Sequence, residues 1–122
     1  MKNDLDLKND LAAYFDYAII VEGRKDAAAL EALGFEHVYQ INLTSVSIGE
    51  RVEQIASRVG KKRKICILTD FDKKGKQLYL LLKRLFQEQG ARLDSSLRGI
   101  LLHAGVSHIE GLDSFMDKIR EI

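Results

Sequence analysis

Short, continuously apolar runs alternate along this chain with segments of helical periodicity. Residues 17–21 (YAIIV) and 65–69 (ICILT) are typical of parallel strands that are buried on both faces. Between them, residues 26–33 are rich in Ala and Leu, and residues 48–59 carry apolar side chains at helical spacing. The alternation therefore predicts an α/β domain, in which a parallel sheet is covered by helices on both faces.

The full pattern predicts one domain over residues 1–122, with a core at about 15–120 that follows a short N-terminal helix. The order of strands in the four-stranded sheet is expected to be 2-1-3-4. Ser47 and Glu50 are placed to form a capping box for the third helix. The predicted strands are 17–21, 37–41, 65–69 and 98–102, and the predicted helices are 3–14, 26–33, 48–59, 75–89 and 113–122.

Composition excludes several other classes of protein. The apolar fraction of 46% gives ample material for a core, so a mainly disordered chain is excluded. No apolar run approaches the roughly 20 residues that span a bilayer, and the polar N-terminus is unlike a signal peptide. The single cysteine, Cys66, cannot form an internal disulfide or a zinc cage. We therefore expect a cytoplasmic protein without a membrane partner.

The formal net charge of +1 hides an uneven distribution. Residues 61–84 contain nine basic side chains but only two acidic ones, Asp70 and Asp72. Such a zone could attract a nucleic-acid backbone, although a solvated surface is the equally weighted alternative. The run 61–64 precedes the third strand, so it is expected at the opposite end of the sheet from the two acids.

Three carboxylates follow buried strands directly. Glu22 comes after the first strand, Asp70 comes after the third, and Asp72 lies two residues further on. Because ligands bind beyond the carboxyl ends of parallel strands, and neighbouring strands lie about 5 Å apart, we expect these side chains to converge. Hard oxygen ligands without a nearby cysteine or histidine favour Mg²⁺, as one ion or as two that a phosphate bridges.

Glycines and basic residues surround the three acids in the sequence. Gly23 and Gly75 would allow the backbone to turn and to approach a phosphate, and the following helices would direct their N-termini towards it. Acids that hold a metal, surrounded by cations, are typical of phosphoryl transfer. Each signal is weak alone, since Asp72 could be a simple helix cap. The predicted phosphate-binding cations are Arg24, Lys25, Lys73, Lys74 and Lys76.

Two segments, IIVEGRKDAAAL at 19–30 and ILTDFDKKGKQL at 67–78, resemble the signature motifs of the Toprim domain family. That domain is shared by primases, type IA and type II topoisomerases, OLD-family nucleases, RecR proteins and the maturase of 5S ribosomal RNA. The resemblance implies a Rossmann-like Toprim fold over most of the chain. It also implies that Glu22 acts as general acid or base with a share in metal binding, and that Asp70 and Asp72 bind magnesium. Asp26 matches a frequent acid of the helix after the first motif.

The chain resembles the small stand-alone Toprim proteins, including those called small primase-like proteins. GVSHIEGL at 105–112 also resembles part of the 5S ribosomal RNA maturase. Leu43 stands near a position where many members have glycine, which leaves the geometry of that loop open. The DNA-gripping domains and the tyrosine nucleophile of primases and topoisomerases have no counterpart in this sequence, so neither activity is expected from the chain alone.

These observations lead to one preferred function and two alternatives. The preferred function is magnesium-dependent hydrolysis of nucleic acid, either RNA or DNA, with Glu22 moving the proton. The first alternative is a non-catalytic module that binds nucleic acid, a partner protein or a second copy of itself. The second is a haloacid-dehalogenase-type phosphatase, which DFDKKG superficially matches, but that family carries its motif on the first strand.

Several other residues are given structural roles. For His103, His108 and Glu110, a surface, loop or capping role is favoured, although His108 could touch phosphate. Cys66 is expected in the core of a strand.

Overall fold

A computed structural model describes residues 4–112 of the protein, with side chains from residue 7 onwards. The helix predicted over 113–122 and the first residue of the helix predicted over 3–14 lie outside this range. The elements are α1 Asp4–Ala12, β1 Ala18–Val21, α2 Arg24–Leu33, β2 His37–Gln40, α3 Ile48–Val59, β3 Ile65–Ile67, α4 Lys73–Glu88, α5 Ser96–His103 and a 3-10 turn Ile109–Gly111.

The three described strands form one parallel sheet in the order β2-β1-β3. In the centre of the sheet, Ile19 of β1 is in register with Val38 of β2 and with Cys66 of β3. Both neighbours of β1 are therefore reached by crossover connections that contain a helix, as parallel pairing requires. The predicted α/β fold with a parallel sheet is confirmed.

The predicted fourth strand at 98–102 is wrong. These residues lie within α5, whose buried residues Leu97 and Leu101 are one helical turn apart. A short apolar run such as RGILL fits either a strand or a buried helix face. Here the buried residues are four positions apart, which is the spacing of a helix. In the described range, only an isolated parallel bridge between Leu93 and Ile65 stands beside β3 where the fourth strand was expected.

Side chains alternate along β1 between two hydrophobic clusters, one on each face of the sheet. Ile19 and Val21 point into the first cluster, whereas Ala18 and Ile20 point into the second. Residues of α1, α2 and α5 complete the first cluster, and residues of α3 and α4 complete the second. The sheet is thus covered on both faces by apolar side chains, as expected.

Helix boundaries near the sheet end are set by local capping. α2 begins at Arg24, directly after Gly23 and two residues before the predicted start at Asp26. α4 begins at Lys73 because Asp72 caps it, so the prediction that this helix starts at Gly75 is wrong. Ser47 caps α3 by accepting a hydrogen bond from the backbone N–H of Glu50, which is the first half of the predicted capping box.

Candidate metal centre at the carboxyl end of the sheet

The two acidic motifs meet directly at the carboxyl end of the sheet. Glu22 follows β1, and its Oε2 accepts a hydrogen bond of 2.9 Å from the backbone N–H of Asp70. The two residues are 48 positions apart in sequence. They meet because β1 and β3 are adjacent parallel strands that end at the same edge. Both are half-buried, so their charges are partly withdrawn from water.

Each of the three acids has one oxygen fixed by a backbone N–H. Besides the Glu22 contact, Asp70 Oδ1 accepts from Ile109 N at 2.8 Å, and Asp72 Oδ1 accepts from Gly75 N at 2.7 Å. These bonds hold the carboxylates in place before any ligand arrives. They leave the second oxygen of Asp70 and of Asp72 for other partners.

Gly75 is required by the fold of this loop. A Cβ at this position would lie 2.1 Å from the carbonyl oxygen of Asp70, which is far inside van der Waals contact. The buried Thr69 hydroxyl also donates to the carbonyl of Gly75 at 2.6 Å. The close approach that the sequence analysis assigned to a phosphate is therefore made here to the chain's own backbone. By contrast, a Cβ at Gly23 would meet nothing within 4 Å.

A compact group of potential metal ligands contains Asp70, Asp72 and His108. One ligand atom from each lies within 4.8 Å of the other two. His108 Nε2 is 3.7 Å from Asp72 Oδ2, and the loop that carries it is tied to the site by a bond from Phe71 N to Ser107 O. Two carboxylates and an imidazole suit a divalent cation chemically. Glu22 is not in this trio, and His108 takes the third place that the sequence analysis gave to Glu22.

The local negative charge extends to Asp26, one of two polar residues that are almost fully buried in the described range. Its Oδ2 accepts from Gly23 N at 3.1 Å. Burial raises the pKa of Asp26, and the neighbouring charges of Asp70, Glu22 and Glu110 raise it further, against the lowering effect of the Gly23 bond. A cation at this end of the sheet would relieve that repulsion. Asp26 was visible in the first motif, but nothing in the sequence showed that it would be buried.

Arg98 supports the acidic loop and was missed by sequence reasoning. Its guanidinium lies between the rings of Phe71 and Tyr79, with centroids 4.5 and 4.4 Å away. It donates hydrogen bonds to the carbonyls of Thr69 at 2.6 Å and Asp70 at 3.3 Å. Burial lowers the pKa of Arg98, whereas Tyr79, Asp70 and Glu22 raise it. Arg98 lies in α5, which was predicted as a strand, and nothing in the sequence indicated its contacts with the two rings.

The predicted phosphate-binding cations lie in the first turns of the two helices that start beside the acids. Arg24 and Lys25 begin α2, and Lys73, Lys74 and Lys76 lie in the first turn of α4. All five side chains are exposed. Helix N-termini favour anions, so the two first turns offer positive potential on either side of the carboxylates.

Comparisons with known proteins agree with the motifs. The family model for the Toprim domain matches residues 16–95. A UPF0292 protein of Methanocaldococcus jannaschii is 31% identical over 105 residues, which cover 82% of this chain and 78% of the relative. A UPF0292 protein of Thermococcus onnurineus is 37% identical over 99 residues, which cover 81% of this chain and 71% of the relative.

A solved structure of a protein from Aquifex aeolicus has a similar fold. It superposes with a TM-score of 0.72 at 25% identity and covers 90% of this chain and 98% of its own. Among the helices of residues 4–112, none has the length and apolar character needed to cross a membrane.

Proposed function

The chain belongs to the Toprim domain family, and from this membership we propose that it catalyses magnesium-dependent hydrolysis of nucleic acid. The observation that carries the proposal is the contact between Glu22 Oε2 and the backbone N–H of Asp70, because it unites the two motifs. Mg²⁺ bound beside them would polarise a phosphate oxygen and offset its charge. The cluster of acidic side chains fits such an ion, since hard oxygen donors dominate it.

In this proposal each side chain has a separate task. Asp70, Asp72 and His108 would hold the cation, and the backbone N–H groups of Ile109 and Gly75 keep the two carboxylates in position for it. Glu22 moves a proton to or from the attacking or leaving oxygen of the phosphate. The exposed cations of the first turns of α2 and α4 hold the phosphates that flank the reacting one.

Isosteric amides give a sharp test, because they remove the charge and keep the hydrogen-bond acceptor. In Glu22→Gln, Asp70→Asn and Asp72→Asn, an amide oxygen can still accept from the N–H of Asp70, Ile109 or Gly75 respectively. Glu50→Gln in the exposed first turn of α3 is the matched control. The assays are Mg²⁺ titration by calorimetry and cleavage of structured RNA, single-stranded DNA and duplex DNA.

We expect the two aspartate variants to lose Mg²⁺ affinity and turnover together. Glu22→Gln should lose about 10²–10⁴-fold in turnover, the usual contribution of general acid–base catalysis. Its Mg²⁺ affinity should change far less than that of the aspartate variants. Absence of cleavage of all three substrates by the unmodified protein, with Mg²⁺ saturating, would reject the hydrolytic function.

A second candidate function is non-catalytic binding of nucleic acid. It is favoured by the fact that Glu22 already holds the backbone of Asp70, which is a structural task sufficient to explain its presence. In that case Glu22→Gln would retain full affinity for nucleic acid, and neither the unmodified protein nor any variant would cleave it. The same set of proteins therefore separates the two candidates.

A further inference from the structure

A second concentration of positive charge lies at the other end of the sheet, before β1 and β3 begin. Three separate segments converge there around a cavity of about 380 Å³. We call this concavity the basic pocket, and its lining residues are Asp16, Tyr17, Lys62, Arg63, Lys64 and Arg92. Four cations thus face one carboxylate in the lining. The metal centre uses none of these residues.

Two of the cations are hydrogen-bonded to neutral carbonyl groups, and neither forms an ion pair with an acid of the described residues. Arg63 donates to the carbonyl of Asp16, and Arg92 donates to the carbonyl of Lys62 at 3.4 Å. Neutral carbonyl partners orient a guanidinium but leave its full charge for a ligand. Lys64 differs, because it lies 3.8 Å from the carboxylate of Asp94 and also faces the ring of Tyr17. The basic pocket therefore has a net positive charge, and hydrogen bonds orient two of its cations.

The position of the pocket separates it from the metal centre. Lys64 immediately precedes β3 and Asp70 lies six residues later, which corresponds to about 20 Å of extended chain at 3.3 Å per residue. Along one strand of a duplex, about six phosphates cover that distance. A nucleic acid bound at the metal centre therefore has further phosphates at a distance that matches the basic pocket, whereas a single small anion could not reach both sites.

We propose that the basic pocket is a second binding site for the phosphate backbone of the nucleic acid. The proposal rests on the nucleic-acid substrate of the proposed function but not on its chemistry. Phosphate contacts of this kind supply affinity and orientation without reading sequence. The pocket thus contributes to binding, and the carboxylates contribute to turnover.

The test is the salt dependence of binding, measured without metal. Fluorescence anisotropy with labelled 20-base-pair duplexes of RNA and of DNA, in EDTA, is compared between two triple variants. Lys62→Gln/Arg63→Gln/Arg92→Gln removes three charges from the pocket. Arg58→Gln/Lys83→Gln/Arg84→Gln removes three exposed charges from α3 and α4 and serves as the matched control.

We call the triple variant at Lys62, Arg63 and Arg92 the pocket variant. At low salt, we expect its affinity to be at least about tenfold lower than that of the unmodified protein, measured with whichever duplex the unmodified protein binds more tightly. The slope of log affinity against log salt should fall in magnitude by about 2–3, because each lost phosphate contact contributes about 0.9. The control should lose less than about twofold. Equal losses in both variants, no loss in the pocket variant, or no binding of either duplex by the unmodified protein would each overturn the proposal.

Two further measurements protect the test from a folding defect. Arg63→Lys/Arg92→Lys keeps the charge, and it should retain most of the affinity, whereas loss of binding in this variant would point to structure instead of charge. Mg²⁺ affinity of the pocket variant should equal that of the unmodified protein, because the metal centre lies elsewhere. Weak duplex binding together with unchanged Mg²⁺ affinity in the pocket variant supports the proposal that the basic pocket binds phosphates. Failure of the unmodified protein to cleave a duplex that it binds would count only against the proposed function.

Discussion

Replacement of Gly75 by alanine should destabilise the protein and disorder the acidic loop. The added Cβ would lie 2.1 Å from the carbonyl oxygen of Asp70 and 2.6 Å from its carbonyl carbon. A carbon and a carbonyl oxygen normally come no closer than about 3.3 Å, so the two segments must separate by about 1.2 Å. The obstacle is backbone, which cannot rotate away as a flexible side chain could.

The magnitude follows from what that separation would break. The bonds from Thr69 Oγ1 to Gly75 O, at 2.6 Å, and from Gly75 N to Asp72 Oδ1, at 2.7 Å, would both be stretched beyond hydrogen-bond range. Overpacking costs about 1–3 kcal/mol and each lost bond about 1 kcal/mol. The better helix propensity of alanine returns about 1 kcal/mol. We expect a net loss of about 2–4 kcal/mol.

The assay is urea unfolding followed by circular dichroism, with Gly99→Ala as the control. Gly99 also lies inside a helix, α5, and its added Cβ would meet nothing within 4 Å. The free energy of unfolding of the Gly99→Ala protein should therefore exceed that of the unmodified protein by about 0.5–1 kcal/mol, from helix propensity alone. The reasoning is refuted if Gly75→Ala unfolds within about 0.5 kcal/mol of the unmodified protein, or if it keeps full Mg²⁺ affinity.

Three further predictions concern other charged or reactive groups. Arg98→Lys keeps the charge but loses the planar fork and its stacking, so unfolding by urea should show a loss of about 1–3 kcal/mol, and an unchanged midpoint would contradict the role assigned to the guanidinium. Because the pKa of Asp26 is raised in the folded protein, its ionisation costs stability as pH rises through that folded pKa. Asp26→Asn should therefore be more stable than the parent at neutral pH in EDTA, with the difference shrinking as pH falls towards about 4, the ordinary pKa of an aspartate in the unfolded chain, and a pH-independent difference would argue against the shift. Burial raises the pKa of Cys66 to about 12, so a thiol reagent should modify it only as fast as the protein unfolds, and rapid labelling of the native protein would refute its burial.

The placement of the acids was predictable because it depends on a topological rule. Glu22 and Asp70 each follow a buried apolar run, and parallel strands bring their carboxyl ends to one edge whatever the details of packing. The same rule placed the run 61–64 at the opposite end, where Lys62, Arg63 and Lys64 line the basic pocket. The spacing of apolar residues, and the position of the charged residues before or after each predicted strand, were sufficient for both conclusions.

The remaining features depend on tertiary contacts that periodicity does not carry. The segment 98–102 fits a strand or a helix equally well, and the buried pair Leu97 and Leu101 decided for the helix. The approach of His108 to Asp72 depends on how the loop after α5 folds back on the acidic motif. The need for glycine at position 75 became visible only with the carbonyl of Asp70 in place.

Arg98 lies beside the segment that follows β3, and its guanidinium donates hydrogen bonds to the carbonyls of Thr69 and Asp70. By closing off these two carbonyls, the charged side chain leaves a poorer template for a further polypeptide segment at this place. The closure also fastens the acidic loop to α5. Any opening of that helix must therefore release the loop as well, so the two should exchange their amide hydrogens as one cooperative unit.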